Sequence, residues 1–219
     1  MIDIIISYYN SREFENFLEY VIDNIDCDYK VIIYNKSNDV NYNSNSNSNS
    51  NSNSNSNYNI IKLSNIGREG ETYLNHIIQN YDNLNEYTLF IQDDTDNHII
   101  NHVTFLNKVK EIINQNQKFK MFETSWRKGD SSIKRTIIDG CFNLCTLPSN
   151  DSMKVACELH GIILPKIYTT ETCAFFICHK DIILKNPKEF YIKLRSWLLE
   201  NGGNGFTLEH IWELIFADN

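Results

Sequence analysis

The chain has 219 residues, 42% of them hydrophobic, and 20 Lys and Arg against 28 Asp and Glu, a formal net charge of −8 at pH 7. That is enough for one core, and with no basic cluster long enough to follow a phosphate backbone it argues against nucleic acid as a partner. No apolar run approaches the roughly 18 residues that cross a bilayer, so no transmembrane segment is expected. The opening MIDIIISYYN carries an acid at position 3 and fits a first strand, not a signal peptide. Without a signal peptide, the six cysteines (27, 141, 145, 157, 173 and 178) read as reduced thiols of a soluble, cytoplasmic or intracellular protein.

The first strand, IDIIIS, is followed by Arg12 to Asp23, where Phe14, Phe17, Leu18, Val21 and Ile22 recur at helical spacing and Ser11 can cap the helix. A strand over Val31 to Tyr34 comes next. Residues 43–56 are seven consecutive Asn-Ser pairs. With no apolar surface to offset the entropy of ordering, the segment at about 41–58 reads as a disordered insertion in a single domain spanning 1–219, not a linker between two. A strand Ile60 to Leu63, a helix from about Glu69 to Asn80, a strand Thr88 to Gln92 and a helix through Val103 to Ile113 follow. Strand and helix alternate and the strands are continuously apolar, which predicts an α/β domain with a mainly parallel sheet covered by helices on both faces. Farther on, KMFETSW and CAFFICHK read as strands, Met153 to His160 and Pro187 to Glu200 as helices, and Thr207 to Phe216 as a closing helix. Residues 125–170 otherwise give no clear pattern.

Ligands of such sheets bind beyond the carboxyl ends of the strands, and there the chain places LFIQDDTDNH, with Asp93, Asp94 and Asp96. Asp94-Thr-Asp96 has the D-x-D form in which two carboxylates hold Mg²⁺ or Mn²⁺ against a diphosphate. An Asx-rich turn capping the next helix is the plainer reading of the same residues. An EF-hand is excluded because Ile99 and Phe105 stand where Gly and an acid are needed. Upstream, NIGREGETYLNHI offers a tight turn at Gly67, a guanidinium at Arg68 and a helix start whose amides can receive an anion. No G-x-S-x-G, Walker loop or G-x-G-x-x-G is present.

Taken together, Asn65, Gly67 and Asn75, then a strand leading into D-x-D, resemble the nucleotide-sugar-binding half of GT-A glycosyltransferases. The run from Asn65 to Asp94 is similar to an uncharacterised glycosyltransferase-like domain family marked by N-x-G-R-E, T-Y-L, N-Y-D-x-L and F-x-Q. That family's P-x-E-F-Y and E-x-x-W-x-x-x-F segments correspond to Pro187, Glu189, Phe190 and Tyr191 and to Glu209, Trp212 and Phe216. The likeness is loose over 1–40, close over 60–100 and good over 173–216. It implies one GT-A-like (Rossmann-like) domain that moves a sugar from a nucleotide-diphosphate donor to an acceptor it does not name. Ser7, Tyr9, Asn10, Asn65, Gly67, Arg68, Glu69, Asn75 and Gln92 would bind substrate. Asp94, Asp96 and His210 would hold Mn²⁺ or Mg²⁺, and Glu209 or Asp93 would take the acceptor proton. The alternative is a GT-A-like binding or scaffolding domain without turnover. His98 and His102 have a spacing compatible with zinc, though two surface histidines are the better reading, and Cys141 with Cys145 and Cys157 with His160 are further zinc-compatible spacings. Trp126, Trp197 and Trp212 read first as packing residues, with Trp126 the one to test for acceptor contact.

Overall fold

Seven residues in succession, Ile2–Tyr8, form β1, and every one is buried. A strand so apolar has to be covered on both faces, and it is hydrogen-bonded on each side by a parallel neighbour. The computed structural model describes residues 1–11, 14–37, 58–95, 99, 101–122, 134–138, 141–142, 150–171, 174–200 and 205–217.

After β1 come α1 (Phe14–Asn24), β2 (Tyr29–Asn35), β3 (Tyr58–Lys62), α2 (Arg68–Asn80), a short 3-10 turn (Tyr81–Asn83), β4 (Tyr87–Gln92), α3 (His102–Asn114) and β5 (Phe119–Met121). The second half holds β6 (Lys134–Ile138), β7 (Cys141–Phe142), α4 (Asn150–His160), β8 (Ile167–Glu171), β9 (Phe176–His179), α5 (Lys180–Ile183), α6 (Lys188–Glu200) and α7 (Gly205–Phe216). Six strands form one sheet in the order β3-β2-β1-β4-β9-β5, and β6, β7 and β8 form a separate antiparallel sheet. The pairs β1–β2, β1–β4 and β2–β3 are parallel, while β9 runs antiparallel to β4 and β5. The expected α/β architecture with a mostly parallel sheet is therefore present. β2 and β3 lie side by side, as two strands of one sheet should, and the Asn/Ser segment between them falls outside the described residues.

On one face of the sheet Phe17 of α1 meets Phe105 of α3, with ring centroids 5.7 Å apart. On the other, Tyr73 of α2 packs on Phe90 and Phe176, and Trp212 of α7 stacks on Phe216 with 11° between ring planes. Trp212 is fully buried, as a packing residue should be. His102 is an edge partner of Phe17 at 5.1 Å, and His160 sits between Phe190 and Trp197, so both imidazoles pack against aromatic rings. Burial pushes the Cys157 thiol up to about 11, a poor starting point for metal ligation. His98 and Trp126 lie outside the described residues. Asp3, the second residue of β1, is buried and accepts a 2.8 Å bond from Asn85 Nδ2, and burial raises its pKa. Among the described residues no helix is long and apolar enough to cross a membrane.

Candidate functional site

The strand order reverses between β1 and β4. The chain moves outward from β1 through β2 to β3, then returns to place β4 on the other side of β1. Loops leaving the carboxyl ends of β1 and β4 must diverge there, and the crevice between them is where open α/β sheets bind ligands. β1 ends at Tyr8 and β4 at Gln92, with Ser7 paired to Gln92.

Asp93 follows directly and is buried. Its Oδ2 accepts from the backbone N–H groups of Tyr9, Asn10 and Ser11 at 2.8, 2.7 and 2.8 Å. Three amides on one carboxylate oxygen make a charge-assisted clasp that fixes the loop after β1. That loop contains Asn10 at φ 148°, a conformation side chains rarely adopt. The site thus uses Asp93 Oδ2 to tie the loops after β1 and β4 together. Tyr9 is 59% exposed above this clasp, and Asn10 is exposed. Ser7 points inward, its Oγ 3.0 Å from Thr72 Oγ1 of α2, and joins sheet to helix.

The second wall is the turn into α2. Gly67 has φ 67° and Arg68 φ 51°, two successive left-handed residues. A Cβ on Gly67 would come 2.6 Å from Glu71 Cβ, so conformation and space both demand glycine. Arg68 extends its guanidinium over the Phe206 ring, Cζ lying 3.8 Å from the centroid. Its Nε is 3.4 Å from Glu69 Oε2 and its Nη2 3.7 Å from Glu209 Oε1. Glu69 and Glu209 are both buried, and Glu69 Oε1 has no hydrogen-bond partner. One cation therefore stands between two carboxylates. Gly205, at the start of α7, allows this approach: a Cβ there would meet Arg68 Cβ at 2.9 Å and the Gly67 carbonyl oxygen at 3.0 Å.

A family model described as "Protein of unknown function (DUF3431)" matches residues 37–219. The chain belongs to the DUF3431 family. No curated protein matches this DUF3431 member.

Within the DUF3431 chain, the residues expected at the site divide into those the fold brings together and those it does not. Tyr9, Asn10, Gln92, Asp93, Asp94, Gly67, Arg68, Glu69 and Glu209 lie at the end of β4, on the loops after β1 and β4, in the turn into α2, or early in α2 and α7. Asn65 is exposed just ahead of Gly67. Asn75 is half-buried seven residues into α2, about 10 Å along its axis from Arg68 at 1.5 Å per residue, and so stands apart from the turn. His210 is buried; its Nδ1 lies 2.6 Å from the Phe206 carbonyl, which makes that nitrogen a donor. Asp94 is half-buried, while Asp96 lies outside the described residues. Among the described residues no group of three or more His, Cys, Asp or Glu side chains is placed to hold a metal ion.

Sequence reasoning passed over Lys36, Glu71 and Arg195. Lys36 and Glu71 are buried and 3.0 Å apart, and Arg195 on α6 holds the other Glu71 oxygen at 2.6 Å. Phe206, the platform under Arg68, was missed as well. A charged residue directly after an apolar strand was the available signal for Lys36, but the sequence does not distinguish a buried lysine from a solvated one.

Proposed function

We propose that this DUF3431 chain is a single GT-A-like domain that transfers a sugar from a nucleoside diphosphate donor to an acceptor hydroxyl. The observation that carries the reading is the meeting, at the β1/β4 reversal, of an amide-rich loop bearing exposed Tyr9 with a left-handed turn presenting Arg68. In this reading Tyr9 contacts the base and Arg68 turns from Glu69 and Glu209 toward the diphosphate, a geometry its planar donors suit. The acceptor oxygen bonds to the anomeric carbon as that carbon's bond to the diphosphate breaks, and the hydroxyl proton passes to Glu209. Asp94 and Asp96 are the carboxylates to which a divalent ion would be assigned, as hard oxygen donors that suit Mg²⁺ or Mn²⁺.

A binding domain without turnover is the second reading. It is favoured by the engagement of Arg68 with two buried carboxylates and of Asp93 with three amides. Calorimetric titration with uridine- and guanosine-diphosphate sugars, with and without Mn²⁺, followed by assay for released nucleoside diphosphate, separates them. Binding with slow hydrolysis or transfer is the expected result. Binding without any release favours the second reading, and no binding to any donor removes the first.

A further inference from the structure

Lys36 is the first residue after β2 and only 3% exposed. Its backbone N–H donates to the Tyr8 carbonyl at 2.8 Å, which pins it to the end of β1. From there the side chain runs under the turn into α2 and finds an acceptor for each of its three ammonium protons. These are the Ile66 carbonyl at 2.7 Å, the Arg68 carbonyl at 2.5 Å and Glu71 Oε2 at 3.0 Å. The two carbonyls belong to the residues on either side of Gly67. A backbone passing through two successive left-handed residues turns its carbonyls away from the helical direction, and here the ammonium collects them.

We infer that Lys36 is a positioning residue for the turn 65–68: its ammonium locks the left-handed pair Gly67–Arg68 by binding the carbonyls that flank Gly67, and so sets the direction in which the Arg68 guanidinium is offered. The conformational part stands on this geometry alone. That the guanidinium is offered to a diphosphate rests on the function proposed above.

Glu71 and Arg195 are the outer part of the device. Arg195 Nε and Nη2 both donate to Glu71 Oε1, at 3.1 and 2.6 Å, leaving Oε2 aimed at Lys36. An ion pair alone would need no backbone carbonyls. The left-handed Arg68 is a costly conformation for a residue with a Cβ, and it persists only if its surroundings hold it. Burial lowers the Lys36 pKa and Glu71 opposes the shift.

Hydrogen–deuterium exchange on the full chain, read on peptides covering 64–72 and on β1 and β4 as internal references, tests the idea. Lys36→Met should raise exchange in 64–72 by at least about tenfold with the strands unchanged, since two backbone acceptors and a carboxylate lose their donor. Glu71→Gln keeps both carbonyl contacts and should leave exchange in 64–72 within about threefold of the parent, as should Arg195→Met. If Glu71→Gln loosens the turn by tenfold or more, the ion pair and not the carbonyl contacts holds it, and the inference falls. That arm also decides the matter should Lys36→Met fail to fold. Lys36→Met that folds with normal exchange in 64–72 overturns the inference as well. A parallel titration with uridine diphosphate and guanosine diphosphate keeps the two ideas apart. In a parent that binds either one, Lys36→Met should weaken binding at least about tenfold and Arg195→Met by less than about threefold. A parent that binds neither removes the proposed function and leaves the exchange result to judge the positioning role.

Discussion

Replacing Gly67 with alanine attacks the turn at its tightest point, and the structure supplies a control for the same change. A left-handed alanine costs about 1–2 kcal/mol in backbone energy alone. The added methyl would also sit 2.6 Å from Glu71 Cβ, 3.2 Å from Leu198 Cδ2 and 3.3 Å from Glu71 Cγ. Glu71 cannot retreat without loosening its bonds to Lys36 and Arg195, so overpacking adds about 1–3 kcal/mol. The sum is about 2–5 kcal/mol, or a fall of roughly 4–20 °C in Tm for a chain of this size. Gly161 has nearly the same backbone, φ 66° against 67°, but nothing lies within 4 Å of a Cβ built on it. Gly161→Ala should therefore show the backbone cost and no more. Denaturant unfolding of both variants, followed by tryptophan fluorescence, isolates the contact contribution as the difference. Equal losses for the two would refute the packing of Gly67 against Glu71.

Trp212→Ala should destabilise the fold by about 3–5 kcal/mol, because the indole is fully buried against Tyr73, Phe176 and Phe216; an unchanged urea midpoint would show that α7 does not close the core. Stability should also fall on the acid side through His76, whose pKa burial lowers from 6.5 to about 3. The folded imidazole stays neutral while the unfolded one takes up a proton below pH 6.5, so stability is intact above that pH and declines as pH drops toward 3. The loss at pH 5 is about 2 kcal/mol relative to pH 8. Urea midpoints at the two pH values measure it, and a difference that persists undiminished in His76→Leu would assign it elsewhere.

The sheet was legible because its strands are apolar without interruption and its helices carry one-sided patterns, as IDIIIS and Phe14, Phe17, Leu18 and Val21 do. The three-stranded sheet of β6, β7 and β8 was not. Its strands read KRTII, CF and IYTTE, too short and too polar to separate from loop, and β6 pairs with β8 about 30 residues away. At the site, the Asn65–Arg68 turn announced itself through Gly67 followed by Arg68 at a helix start. The three acids after β4 look alike in sequence, and only the fold shows that Asp93 faces three amides near the start of the chain. The lysine after β2 reads as a solvated charge by the same local logic, since burial is a property of what α2 and α6 later bring against it.

The Asp93 clasp also fixes when the site can come into being. Its three hydrogen bonds join residues 82 to 84 positions apart, and contacts of such long sequence separation are slow to close. β1 and β2 can pair as soon as both are made, but the loop at residues 9–11 has no anchor until β4 has docked beside β1 and carried Asp93 to it. On a ribosome, more than 90 residues must therefore leave the exit tunnel before the first loop of the site acquires its shape. A truncated chain that keeps β1 to β3 would hold paired strands while residues 9–11 lack the Asp93 clasp.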